Sequence, residues 1–337
     1  ILTKKAFQNA IVTASAIGAS TNAPPHLIAI AKQLNIHLTL GDWEKWGEKI
    51  PLLVNLQPAG EYLGEGFFQA GGVPVVMKEL NENNLLNKDA ITVSGKTIDE
   101  NLKLITKNEN IIIKDFNEPI KKNAGFLVLK SNFFESAIMK ISVISKEFKE
   151  RYLENSVEPN IFTVRAIVFD GPEHYHEQID NPELDIDENC ILIIRGAGPI
   201  GYPGGAEVVN MRPPNYLLKR GITALPCLGD GRQSGTSESP SILNVSPEAA
   251  VGGGIAIIKN GDKIKINLIE KRVDLLLNIE EIDKRFKEIN FIFPDNQTPW
   301  QEISRKFTGQ LADGACLDLE QQYFDIAATK GIPRDNH

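Results

Sequence analysis

The most chemically unusual stretch is Gly229-Asp230-Gly231-Arg232-Gln233-Ser234-Gly235-Thr236-Ser237, with three glycines, three hydroxyls and an Asp/Arg pair in nine positions. Such a loop can turn backbone N–H groups toward an anion and hold one hydroxyl close to a substrate carbon. The same residues can also form an ordinary turn closed by an internal Asp230–Arg232 pair. No G-x-S-x-G elbow and no Ser/His/Asp order accompanies Ser234, which argues against a serine hydrolase. A second candidate is Glu207, in Gly204-Gly205-Ala206-Glu207-Val208-Val209-Asn210-Met211. A carboxylate in so apolar a run is either a surface group or a metal ligand, because a buried one must be paired or metal-bound.

Two further motifs carry weaker chemistry. Gly196-Ala197-Gly198-Pro199-Ile200-Gly201 matches G-x-G-x-x-G after the apolar run 190–194. A dinucleotide site needs a helix opening at the third glycine, and Tyr202-Pro203-Gly204-Gly205 opens one poorly. The motif reads instead as a loop that lets backbone approach a ligand closely. In Glu173-His174-Tyr175-His176-Glu177 the two histidines would share one face of a strand and could bind a metal. On a helix starting after Gly171-Pro172 they point apart, and His26, His37 and His337 are not placed to complete a site. The three cysteines, Cys190, Cys227 and Cys316, are widely spaced with no C-x-x-C. That argues against a disulfide framework or a self-contained cysteine metal site and makes a reducing cytoplasm the expected compartment.

These residues need elements to hold them. A chain of 337 residues, 42% hydrophobic, is long enough for roughly two domains of about 150 residues. The 36 basic against 44 acidic residues give a net charge of −8, with no long basic block, so nucleic acid is not an expected partner. No apolar run approaches the ~20 residues of a membrane span. The sequence opens on Ile1 and lacks a signal-peptide pattern, which predicts the back part of something longer. In the first part, Thr3 caps a helix with an apolar face at Phe7, Ala10, Ile11, Ala14 and Ile17, and a second helix follows the break at 18–25. Short strands are predicted at 36–40, 52–56 and 91–93, with helices at 75–80 and after the capping box Thr97-Ile98-Asp99-Glu100. From about residue 115 the texture becomes β-rich, with runs at 126–129, 138–144, 165–169, 190–194, 255–259 and 263–268. Asn260-Gly261 predicts a hairpin between the last two. Helices are sparser there, at 214–220 and 279–288, and Pro294, Pro299 and Pro333 predict an extended C-terminal tail. The fold class is α/β: a partial α/β domain over 1–117, then a β-barrel-like domain with outer helices over 118–337.

Taken together, these segments resemble the dihydroxy-acid dehydratase / phosphogluconate dehydratase family. Gly18-Ala19-Ser20-Thr21-Asn22-Ala23 is similar to its GGSTNA segment and 195–204 to its glycine loop; 207–211, 229–236 and 246–254 follow in the family's order. The segments NLQPAG (55–60), GPEHYH (171–176) and the ending GIPRDNH (331–337) resemble the sugar-acid branch, the pentonate dehydratases. The resemblance implies an α/β domain followed by a β-barrel-like one. It implies dehydration of a sugar acid, an aldonate, to a 2-keto-3-deoxy acid through an enol. The C2 proton beside a carboxylate is weakly acidic, so Mg²⁺ neutralises that charge; hydroxide leaves C3 poorly, so the family uses an iron of a [2Fe–2S] cluster as Lewis acid. By the same resemblance Glu207 is a Mg²⁺ ligand, Ser234 as an alkoxide takes the C2 proton, and Thr236 helps hold the carboxylate end. Homodimers or homotetramers are implied too.

Family members are longer at the N-terminus, and that region carries the cluster cysteines, two further acidic Mg²⁺ ligands and a modified lysine. Cys190, Cys227 and Cys316 lie outside the family's cluster motifs; the first two read as buried strand thiols. The expectation is a chain holding the base and one metal ligand but not the Lewis acid, the C-terminal ~60% of an enzyme and inactive alone. Two other readings remain: a dihydroxy-acid dehydratase of branched-chain amino-acid biosynthesis, and a non-catalytic metal- or sugar-binding barrel module.

Overall fold

The computed structural model describes residues 1–107, 110–154, 157–234, 240–293 and 297–331. Helices dominate the first lobe: α1 (Lys4–Ile17), α2 (Ala23–Gln33), α3 (Leu40–Gly47), α4 (Gly64–Gln69), α5 (Gly72–Glu82) and α6 (Ile98–Leu102). Thr3 accepts the Ala6 N–H at 3.3 Å and starts α1 as its spacing predicts. Thr97 and Glu100 close the capping box of α6. Val12 and Ala16 of α1 and the apolar residues of α5 meet Leu53, Val54 and Ile113 in one buried cluster, while Phe7, Ile11 and Ala14 of the predicted stripe pack in a second one with Trp43 and Ile138.

The strands expected at 36–40, 52–56 and 91–93 do not form as strands. Thr39 and Asp42 make a capping box, with the Thr39 N–H on Asp42 Oδ2 at 3.0 Å, so that run is consumed by the start of α3. Leu52, Val54 and Leu56 make single bridges to Lys121, Ile113 and Tyr62, and Ile91 one to Thr97. Full burial of Leu52, Leu53 and Val54 explains their strand-like composition.

The second lobe is a barrel-shaped sheet of eight strands: β1 (Phe126–Leu129), β2 (Ser136–Lys140), β3 (Ile161–Asp170), β4 (Cys190–Arg195), β5 (Cys227–Gly229), β6 (Ile242–Ser246), β7 (Lys263–Asn267) and β8 (Arg272–Leu275). Their spatial order is β1-β2-β6-β5-β4-β3-β7-β8. The run β3-β4-β5-β6 is parallel; the flanking pairings are antiparallel. The two edges meet where the Lys130 N–H donates to the Lys271 carbonyl and the Val273 N–H to Lys130, both at 2.9 Å. Alternation along each strand sorts the core. Ile191 and Ile193 join Leu129, Val168 and Ile264 inside the barrel, while Cys190, Leu192 and Ile194 face outward beneath Tyr175, Val209 and Leu217. Burial on both faces is why this segment reads as a continuous apolar run.

Short helices α7 (Lys146–Phe148), α8 (Gly171–Gln178) and α9 (Asn215–Lys219) cross between strands, and α10 (Ile279–Lys287) packs outside. Three expectations are corrected. Strand β2 ends at Lys140 and Ile141–Val143 is a 3₁₀ turn. Gly254–Ile257 is also 3₁₀, so the hairpin at Asn260-Gly261 lacks its first arm. The bend itself is present: the Lys259 N–H donates to Asp262 Oδ2 at 2.8 Å, and Asn260 Oδ1 accepts the Val168 N–H. The hairpin that does form is β7–β8. Within its described residues the tail is instead largely helical, as α11 (Pro299–Phe307) and α12 (Asp318–Lys330), while Pro294 and Pro333 lie outside the described residues. Pro299 occupies the first turn behind a Thr298–Gln301 capping box, where its missing N–H costs nothing.

The lobes join face to face. Trp43 of α3 packs edge-on against Phe126 of β1 with ring centroids 5.3 Å apart, within a cluster that includes Phe7, Ile11, Val128 and Ile138. Among the described residues no helix is long and apolar enough to cross a membrane.

Candidate active site between the lobes

The turn between α1 and α2 is the first wall of the site. Gly18 ends α1 at φ 69°, and a side chain there would meet Leu52 at 2.8 Å, so only glycine turns the chain here. The turn ends at Asn22, whose side chain leaves the helical lobe for the barrel. Its amide nitrogen donates to Glu207 Oε1 and, at 3.2 Å, to the Gln233 carbonyl; its Oδ1 accepts from Arg232 Nη1 at 3.4 Å. One amide thus ties together both segments singled out by sequence.

Glu207 lies outside any helix or strand, 39% exposed at its side chain, with Arg232 Nη1 3.8 Å from Oε1. Arg232 is fixed by Nε donating to the Gly205 carbonyl at 2.7 Å, and its Nη1 also reaches His26 Nε2 at 3.5 Å. The Val209 N–H donates to the Arg232 carbonyl, and the Ser234 N–H to Asn210 Oδ1, both at 3.0 Å. The segments carrying Glu207 and Ser234 therefore run side by side, half-open to solvent, opposite Asn22. Beneath them Gln233 is buried and donates to Ser241 Oγ at 3.1 Å. Thr236 lies outside the described residues.

The internal Asp230–Arg232 pair does not form. Asp230 is fully buried and points the other way, accepting the N–H groups of Gly196, Ala197 and Ala249, each at 2.9 Å. Burial pushes its carboxyl above the ordinary range and the three N–H bonds pull it back. Gly231 must be glycine, because a side chain there would come within 2.5 Å of the Ala197 carbonyl oxygen. Glu248 does similar work on the other half of the glycine loop, accepting Gly201 N–H at 2.8 Å, Ile200 N–H at 3.1 Å and Gln310 Nε2 at 3.0 Å. Burial raises its carboxyl to about 7, with the Asp230 charge adding to the shift. The N–H groups of Gly196, Ala197, Ile200 and Gly201 are thus taken by the protein's own carboxylates, which argues against a nucleotide phosphate at this loop. Sequence reasoning quoted the segments that hold Asn22, Gln233 and Glu248 but gave these residues no role, because their contacts reach to distant parts of the chain.

The remaining candidates disperse. Gly171–Gln178 is a helix; His174 Nδ1 accepts the Asp170 N–H at 3.0 Å and His176 is exposed, so the two do not share a ligand. Cys190 and Cys227 are buried on adjacent strands, and burial raises the Cys190 thiol to about 12. Cys316 lies apart, near the Ala29 carbonyl. Among the described residues no three His, Cys, Asp or Glu gather around a point that could hold a metal.

Comparison with known proteins adds the class. The C-terminal model of the dihydroxy-acid/6-phosphogluconate dehydratases matches residues 111–315 and the N-terminal model residues 1–101. The chain belongs to this family. Among its relatives, a protein of Caulobacter vibrioides named D-xylonate dehydratase is 51% identical over the whole chain, which covers 56% of that protein. An L-arabinonate dehydratase of Rhizobium leguminosarum is 43% identical, again over the whole chain and 56% of the relative. A dihydroxy-acid dehydratase of Clostridium novyi is 37% identical over 89% of the chain and 51% of the relative. The chain thus spans about half the length of these relatives. Higher identity to the two pentonate dehydratases bears out the resemblance to the sugar-acid branch.

Proposed function

We propose that this chain contributes the proton-abstracting serine and one acidic metal ligand to a hydro-lyase that converts an aldonate such as D-xylonate to its 2-keto-3-deoxy acid. The observation that carries the reading is the Asn22 amide, shared between the carboxylate of Glu207 and the carbonyl next to Ser234. Names of the relatives add that proteins of this kind act on pentonates.

Ser234 would take the C2 proton, Thr236 would help hold the carboxylate end, and Glu207 would face the substrate oxygens. A serine hydroxyl becomes a credible base only beside concentrated positive charge. A divalent Mg²⁺ supplies that charge and neutralises the acid's carboxylate. The donor set fits such an ion in part. Glu207 is an accessible, oriented carboxylate, and Mg²⁺ is commonly bound through one or two carboxylates with substrate and water completing its shell. Among the described residues no group of three such ligands forms around it. Cys190 and Cys227 share one buried apolar cluster while Cys316 lies apart near Ala29, and among the described residues no three ligating side chains gather at one point, so no step at the C3 hydroxyl is assigned to the cysteines. Homodimers or homotetramers belong to the same proposal.

Asn22, Asn210, Arg232 and His26 make the cleft polar, which favours a polyhydroxy acid over the methyl-branched acid of branched-chain biosynthesis. A substrate panel tests this. The protein that carries this chain is expected to release keto acid from D-xylonate or L-arabinonate at least about tenfold faster than from 2,3-dihydroxyisovalerate. Equal or reversed preference contradicts the sugar-acid reading, and no keto acid from any substrate supports the non-catalytic module.

A further inference from the structure

One cation beneath the cleft has no role in the chemistry described so far. Lys140 closes β2, and two alternations bring it to the same face as Ile138, the face turned toward α1 and α3. Its pairing with Phe126 on one side, and of Met139 with Ile242 on the other, set it level with Ser241. Ser241 receives the Gln233 side chain, and the Gln233 carbonyl receives Asn22. The lysine therefore lies one layer below the residues that join Glu207 to Ser234.

Lys140 is only 7% exposed, yet among the described residues neither a carboxylate nor a carbonyl oxygen bonds its ammonium. The charged neighbour acting on it is another cation, Lys121, whose own ammonium is taken by the Ser142 and Ile144 carbonyls. Burial and that neighbour bring Lys140 down to about 8. Close by, Ser142 Oγ is buried without a partner; on the barrel side so is Asn244 Oδ1, whose amide nitrogen donates to the Thr21 carbonyl at 3.3 Å. An ammonium so largely withdrawn from water and without a counter-ion is costly, and an anion that reached it would offset that cost.

We propose that Lys140 receives the carboxylate of the hydroxy acid that enters the cleft, fixing that end of the ligand below Ser234. The proposal rests on the sugar-acid reading but does not share its test. An anion arriving here would stabilise the ammonium, so binding requires the protonated lysine and weakens as pH rises through about 8.

The experiment is calorimetric binding of D-xylonate and of the neutral pentitol xylitol to the protein expressed from its own gene. Wild type is expected to favour the acid, with the preference declining above about pH 8. Lys140→Met is expected to lose about tenfold or more of the acid's affinity and leave xylitol unchanged, and Lys140→Arg to restore most of the preference. A Lys140→Met protein with wild-type preference and wild-type dehydration overturns the proposal while the function stands. A wild type that dehydrates nothing but loses acid binding on Lys140→Met upholds the anion site and removes the dehydratase reading. A wild type with no preference for the acid, or one whose preference ignores pH, also overturns it; if Lys140→Met does not fold, the arginine variant and the pH profile decide.

Discussion

Replacing Glu248 with glutamine should change how the stability of this protein depends on pH. The side chain is 1% exposed and its carboxyl is raised from 4.5 to about 7 by burial, with Asp230 nearby. A carboxylate with a folded-state pKa above its unfolded value binds the proton more tightly when folded. Wild type is then favoured by protonation at low pH, and that advantage is lost as pH rises from about 4.5 through about 7. At 1.36 kcal/mol per unit, the shift corresponds to about 3 kcal/mol between the two ends of that window. Near-complete burial means no discount for solvent screening. Glu248→Gln retains an oxygen for the Gly201 N–H and carries no charge, so it lacks this term, although its amide must find a new arrangement with Gln310. Urea denaturation at steps between about pH 4.5 and 8 gives both curves, and their difference reports Glu248 together with its coupling to Asp230, other groups cancelling. Wild type should lose about 3 kcal/mol relative to the variant across the window, with the change centred below pH 7. Parallel curves, or a difference of opposite sign, would refute the assignment of a raised carboxyl to this side chain.

Asn22→Ala removes the buried amide that binds Glu207 and the Gln233 carbonyl; loss of hydrogen bonds of this kind costs about 1–3 kcal/mol of stability, so the melting temperature should fall by a few degrees, and kcat/KM for the aldonate should fall roughly 5- to 100-fold as Glu207 and the Ser234 segment lose their shared anchor. A wild-type value would separate Asn22 from the site. Under native conditions a thiol reagent should label Cys316 well before Cys190 and Cys227, which are buried, with the Cys190 thiol held near 12. Peptide mapping that finds Cys190 labelled first would contradict the packing of β4.

Elements with self-contained local signals were legible in the amino-acid order. Thr3 before an i, i+3, i+4 stripe, the Thr97–Glu100 box and the run Cys190–Arg195 all form the elements they announce. Misreadings arise where composition has two causes. Leu52, Leu53 and Val54 are apolar because they are buried, and backbone pairing limited to single bridges leaves no trace in residue type. Gly254–Ile257 has the make-up of a strand, but Gly254 packs so tightly on the Phe133 carbonyl that a side chain would come within 1.6 Å of it. Pro299 looks like a helix breaker and is a helix starter, because only its place after Thr298 decides between the two. At the site, residue types named Glu207 and Ser234 as candidates. They could not announce the Asn22 bridge, since a contact spanning 185 positions has no local pattern. Nor could they show that Asp230 turns away from Arg232 to hold the glycine loop.

The central proposal is that Ser234 removes the proton from C2 of a sugar acid held in the cleft beside Glu207. The most direct test follows D-xylonate carrying deuterium at C2 with wild-type protein and with Ser234→Ala, alongside calorimetric affinity for the same acid. Wild type should convert it, with kcat falling on deuteration, while Ser234→Ala should bind within a few-fold of wild type and convert it at least about 10³-fold more slowly. A Ser234→Ala protein that turns the acid over at the wild-type rate contradicts the account.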